Sequence, residues 1–305
     1  MKNIIYTILV LNVLFCTGCT DQLEETIYGK FPEEEYWKTE SELLTGLASA
    51  YGRLVIPWDA PFSLEVFKIE ECASDYAVGA GEWGDYTGWS SIFPGAINNV
   101  YDYLWSSISY CNKVIDKSEE GFQKTQAGEP GYSISKEVKE QIIVESRAVR
   151  VFCYFNLCTW FGGVPIVTSS TDHRPIIPKQ TQDSVYRFME NELKEVIPFL
   201  PTKSERMNMT KDYGRVTKGG AEAFLARIYL EQKKWQECAD LTTKLYEDNQ
   251  RTREYGLEGN YADIFSLQNE GYSNSEIMWA LPAAGCINGK AVSGMGLHAQ
   301  LSRPK

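Results

Sequence analysis

The stretch Gly79-Ala80-Gly81-Glu82-Trp83-Gly84-Asp85-Tyr86-Thr87-Gly88-Trp89 gathers two indoles, a phenol and two carboxylates among glycines. Trp83, Tyr86 and Trp89, three residues apart, can form a flat platform for a sugar ring. The C–H face of a pyranose packs on an aromatic π face, and a neighbouring carboxylate such as Asp85 binds its hydroxyls. Trp58 and Asp75 offer the same chemistry. The competing reading is that these side chains fold inward and plug the loop onto the rest of the protein. The residues alone leave both open. Gly79 to Gly84 also matches the letters GxGxxG, but a dinucleotide fingerprint needs a strand before it and a helix opening on its last glycine. More Gly, Trp and Tyr follow instead, so the glycines are read as letting the backbone bend.

No other constellation points to catalysis. GxSxG, HExxH, an EF-hand loop and a Walker A sequence are all absent. The 41 acidic residues offer many carboxylate pairs for glycoside hydrolysis, and nothing singles out one of them. Two histidines, His173 and His298, are little material for an imidazole metal site. The expectation is a chain that is not an enzyme and carries no cofactor and no metal. Its net charge of −11 speaks against nucleic acid, because neutralising phosphates takes clustered Lys and Arg. The hydrophobic share of 43% suits a globular protein with a sizeable core.

The first residues read as an export signal. Lys2 precedes an apolar run from Ile4 to Phe15, too short to span a bilayer. Thr17-Gly18-Cys19 resembles the end of a bacterial lipobox, with Cys16 where Leu is usual. A redox CxxC reading of Cys16 and Cys19 would need a folded strand-to-helix context. Residues 1–18 are therefore expected to be a lipoprotein signal peptide, with Cys19 lipidated. The acidic segment after it, within a tether at 19–38, resembles the one that sends surface lipoproteins outward. Acyl chains on one Cys anchor without a transmembrane helix. Six further Cys are expected to stay unpaired, mostly at helix-core positions.

The elements that must position any site are helical. Thr39-Glu40-Ser41-Glu42 is a capping box, with Leu43, Leu47, Ala50 and Leu54 on one face behind it. Periodicity predicts further helices over about 99–117, with Tyr101, Leu104, Ile108, Cys111 and Ile115 inward, and over 135–161. The second of these becomes apolar all round and should lie central. Gly162, Gly163 and Pro165 stop it. Arg147 and Arg150 within it read as structural, paired with Glu145 or another acid. A fourth helix is expected over 183–200. At 217–249 two amphipathic helices flank Lys233-Lys234, with Trp235, Cys238, Thr242 and Leu245 as the packing face of the second. Ala226, Tyr229, Trp235, Cys238 and Leu245 fall at tetratricopeptide packing positions. Residues 57–98 break the pattern as a long loop region. Strand signals are weak, at Val164 to Val167 and Glu276 to Ala280. The class is mainly α: a tetratricopeptide-like superhelix of helical hairpins with long loops.

Several stretches then resemble one family in order: EEEYWKTESELLTGLASAYGRL, LWSSISYCNKVID, ESRAVRVFCYFNLCTWFGGVPIV, DSVYRFMENELKEVIPFLP, GRVTKGGAEAFLARIYLEQKKWQECADL and YADIFSLQNEGYSNSEIMWAL. They resemble the SusD/RagB family of Bacteroidetes outer-membrane nutrient-binding lipoproteins. The resemblance implies a helical domain over 39–288 that binds oligosaccharide or another nutrient without catalysis. It also implies placement at the outer membrane, lipid-anchored and exposed on the cell surface. The implied partner is a SusC-like TonB-dependent transporter. Family members are longer, and residues 289–305 read as an irregular, interrupted tail, so a truncated member is expected. The alternative is a structural subunit of the transporter complex that, being truncated, no longer holds a ligand.

Overall fold

The structure, a computed structural model, describes residues 33–56, 60–72, 74–75, 94–172, 174, 176–207, 214–265, 274–281, 284–287 and 290–293. The chain divides into two units, Met1–Tyr36 and Trp37–Lys305. In the first, Glu33–Glu35 is a single 3-10 turn.

Helix α1 (Glu40–Val55) opens on the capping box read from sequence. Thr39 Oγ1 accepts from the Glu42 N–H at 3.3 Å, and the Glu42 carboxylate accepts from the Thr39 N–H at 2.9 Å. A π-turn, Pro61–Glu65, runs into the short helix α2 (Val66–Cys72). Part of the expected 57–98 loop region is therefore helical, because a stretch this short carries too little periodicity to be read. Helix α3 (Pro94–Gln126) exceeds the 99–117 expectation at both ends. Its C-terminal extension is polar and is held by side-chain pairs: Glu120 bonds Lys117 at 2.6 Å and Lys124 at 2.8 Å.

Helix α4 (Lys136–Phe161) is capped by Ser135 and ends at Gly162, whose φ of 73° suits glycine. From Ile142 to Phe161 only Thr159 is exposed, so the central position read from its apolar sequence holds. Around it lie α1, α3 and α5 (Gln182–Val196). Leu54, Leu104, Ile108, Val149, Tyr154, Leu157, Val185, Met189 and Leu193 fill the shared core. A 3-10 turn at Ile197–Phe199 and the short α6 (Lys203–Met207) lead to a final hairpin, α7 (Lys218–Glu231) and α8 (Trp235–Thr252). Lys233, with φ of 58°, makes the turn between them. Neither expected strand forms: 164–167 and 276–280 lie outside any ladder. The described strands are β1 (Ala284–Ile287) and β2 (Lys290–Ser293), an antiparallel pair with Ala284 opposite Ser293. Cys286 thus sits on a strand rather than in a helix core.

Arg147 and Arg150 are structural, as read from sequence, and their acid is Glu192 of α5, at 2.7 and 2.6 Å, rather than Glu145. Glu145, one side turn away, is enclosed by the Arg206 and Arg215 guanidiniums at 2.7 and 2.6 Å and by the Tyr51 hydroxyl at 2.8 Å. Tyr51 also accepts from the Val216 N–H at 3.0 Å, so this cluster joins α1, α4, α6 and the approach to α7. The packing face expected on α8 is only partly covered: Cys238 and Leu245 are half-buried and Cys238 packs against the core, while Thr242 is exposed and Trp235 is 61% exposed. Among the described residues α8 packs chiefly on α7, which covers one side of it only. Trp279 returns from the C-terminal part to join the core, edge-on to Phe152 at 5.1 Å. A Cβ on Gly220 would lie 2.6 Å from it, so glycine is required for that approach.

Candidate functional site

Trp83, Tyr86, Trp89, Asp85, Trp58 and Cys19 lie outside the described residues. Asp75 is described and exposed, in a bend just beyond α2. Cys72, at the end of α2, and Ala96, in the first turn of α3, are buried together with Ile69 against them.

A second concavity lies on the flank of α3. Leu104, Ile108 and Cys111 face the core, while Tyr101 and Trp105, one helical turn apart, lie beside that stripe. Tyr101 was expected inward. It is 36% exposed instead, because the core face is centred on Val100 and Leu104. Together with Asp102, Pro165, Val167, Arg174 and Ile177 these side chains enclose an open cleft of about 400 Å³.

Both walls of this cleft are held. Tyr101 meets the Phe161 ring edge-on at 5.0 Å and 81°, and Trp105 meets Tyr154 edge-on at 5.8 Å and 84°. After Gly162 the chain turns back beside α3. A Cβ on Gly163 would lie 2.0 Å from the Gln180 carbonyl, so only glycine fits there. The Tyr154 hydroxyl bonds both the N–H and the carbonyl of Val167, at 2.8 and 3.1 Å. Asn112 Nδ2 donates to the same carbonyl at 3.0 Å. Arg150 donates to the Thr168 carbonyl at 3.2 Å and to Asn112 Oδ1 at 2.6 Å. Asp116 accepts from Ser169 Oγ and from the N–H and Oγ of Ser170. Three residues of α3 and α4 thus fix the backbone of the wall, and Asp116 continues the attachment.

Electrostatics support the same frame. Burial pushes the Tyr154 phenol up to about 12, although its bond with Val167 works the other way. Burial also disfavours the Glu192 charge, yet Arg147 and Arg150 hold its carboxyl below the ordinary value. On the rim, Arg174 grips Asp172 through Nε at 2.7 Å and one terminal nitrogen at 2.6 Å. Asp102 is exposed and makes no bond within the described protein. Among the described residues no group of His, Cys, Asp and Glu side chains could hold a metal ion. No described helix is long and apolar enough to cross a membrane.

Sequence reading passed over Trp105 and misplaced Tyr101. Their four-residue spacing was a visible signal, but it also fits a core stripe, and only the partner helices decide between the two.

The antiparallel hairpins around a central helix define a tetratricopeptide-like helical scaffold. The chain matches the SusD-like family described as "Starch-binding associating with outer membrane" over residues 64–230, and it belongs to that family. It is 23% identical to the SusD-like protein P25 of Formosa agariphila, over 96% of this chain and 54% of that protein. The chain spans about half the length of the curated relatives it matches. Among solved structures, a surface glycan-binding protein A from Bacteroides uniformis superposes with a TM-score of 0.65 at 20% identity. That match covers 79% of this chain and 52% of that one. A laminarin-binding SusD-like protein gives 0.64 at 20% identity, covering 85% and 55%. At such identities these structures establish the fold.

Proposed function

We propose that the chain is a non-catalytic, glycan-binding lipoprotein of the outer membrane, exposed at the cell surface, which passes oligosaccharide to a SusC-like TonB-dependent transporter. The observation that carries this reading is the SusD-like match over 64–230, which coincides with the helical scaffold from α2 to α7. The names of its relatives support the ligand class: one binds laminarin and another is a surface glycan-binding protein. The sequence supports the placement, through the signal-like residues 1–18, the lipobox ending in Cys19 and the acidic tether over 19–38. The ligand residues in this reading are Trp83, Tyr86 and Trp89 with Asp85, and Trp58 and Asp75 offer the same chemistry.

Calorimetry of the full chain against a panel of neutral oligosaccharides tests the binding. Trp83→Ala or Trp89→Ala lowers affinity if the platform is right, and unchanged affinity removes that assignment. Labelling with radioactive palmitate, lost on Cys19→Ala, tests the anchor. Co-purification with the transporter but no glycan bound would favour the structural-subunit reading.

A further inference from the structure

We propose that the α3-flank cleft between Tyr101, Trp105 and Arg174 is a separate subsite for one neutral pyranose ring. This rests on the glycan-binding reading above and adds a place that the aromatic stretch at 79–89 does not include.

Three observations carry it. The first is rigidity. Tyr101 and Trp105 are exposed or half-buried, yet each is fixed by an edge-on ring partner, and the facing wall is fixed through Tyr154, Asn112 and Arg150. An aromatic surface already held in place loses little freedom when a sugar stacks on it. The second is unused polar capacity. Asp102 has no protein partner among the described residues. Arg174 spends Nε and one terminal nitrogen on Asp172, and its other terminal nitrogen makes no bond within the described protein. A pyranose answers this set: its C–H face covers the rings, a pair of hydroxyls donates to Asp102, and a hydroxyl oxygen accepts from Arg174. The third is size and charge. A cleft of about 400 Å³ is at the small end of ligand sites and suits one or two sugar rings. Asp102 adds a negative charge that the Arg174–Asp172 pair does not cancel, in a chain of net charge −11. Uronic or sulfated sugars would therefore be repelled, and a neutral ring is selected.

The test follows indole N–H resonances of the full chain during titration with methyl α- and β-glucopyranoside, methyl β-galactopyranoside and galacturonate. The Trp105 signal is identified by its loss in Trp105→Phe, and those of Trp83 and Trp89 by their own Phe variants. The expected result is a saturable shift of the Trp105 signal with at least one neutral glycoside and none with galacturonate. That shift persists in the Trp83→Ala, Trp89→Ala double variant. It disappears in Tyr101→Ala and weakens about tenfold in Asp102→Asn, which removes a charge-assisted bond while leaving the packing intact. If the Trp83 or Trp89 signals move while Trp105 does not, the subsite is refuted and glycan binding stands. If no indole signal moves with these or with neutral oligosaccharides, both readings fall. A Trp105 shift that survives Tyr101→Ala and Asp102→Asn unchanged also overturns the subsite.

Discussion

Helix α4, apolar all round in its second half, and helix α8, apolar on one face only, meet opposite fates. From Ile142 to Phe161 α4 has one exposed residue, while α8 buries none of its eighteen. α4 is enclosed by α1, α3 and α5, whereas among the described residues α8 leans chiefly on α7. Apolar periodicity therefore marks a face able to be buried, and the number of neighbouring helices decides whether it is. The polar residues follow the same division. Those of α4 are satisfied by acids and guanidiniums from distant elements, as at Glu145, Arg147 and Arg150. Those of α8 pair locally, as in the bond from Gln236 to Asp240 at 2.8 Å.

The contrast can be broken by substitution. The largest effect is expected at Glu145→Gln, which removes the buried carboxylate shared by Arg206, Arg215 and the Tyr51 hydroxyl. It should cost about 3 kcal/mol in urea unfolding, because several charge-assisted bonds in a buried cluster are lost at once. Leu157→Ala, at a fully buried α4 position, should cost about 3 kcal/mol through the cavity it opens. A loss below about 1 kcal/mol at either site would mean that α4 is not the enclosed centre described here.

Glu192 gives the intermediate case. Its carboxyl is held below the ordinary 4.5 in the folded chain, so the stability it contributes is complete above that value. That contribution is lost as pH falls through 4.5 towards the lower folded value. Glu192→Gln should cost about 1.5–3 kcal/mol at neutral pH. It should also flatten part of the fall in melting temperature as pH drops below 4.5. An identical acid profile for variant and wild type would sink this assignment. The smallest effect belongs to α8. Trp235→Ala should change stability by no more than about 0.5 kcal/mol, since its ring is largely in solvent. A loss several times larger would show α8 to be packed after all.

What was legible in sequence follows the range of the interactions involved. The capping box at Thr39, the stop at Gly162, the central place of α4 and the hairpin at Lys233 are local patterns, and each holds. The partners of Arg147 and Arg150 lie more than forty residues away on α5, beyond any local window. The extension of α3 past Lys117 depends on ion pairs along a polar stretch that apolar periodicity does not detect. The α3-flank cleft was missed for a related reason. Its facing wall is built by a chain reversal whose hydrogen bonds come from two helices, and nothing in Pro165 or Val167 announces that. The aromatic stretch at 79–89 was the most visible feature of the sequence, and it lies outside the described residues.

Glycan binding by this scaffold is tested most directly by titrating the full chain with neutral oligosaccharides, including starch- and laminarin-derived fragments, in a calorimeter. Saturable binding of at least one of them, with no cleavage of the recovered ligand, is the expected result. No heat and no binding across the panel, or turnover of the bound glycan, would contradict it.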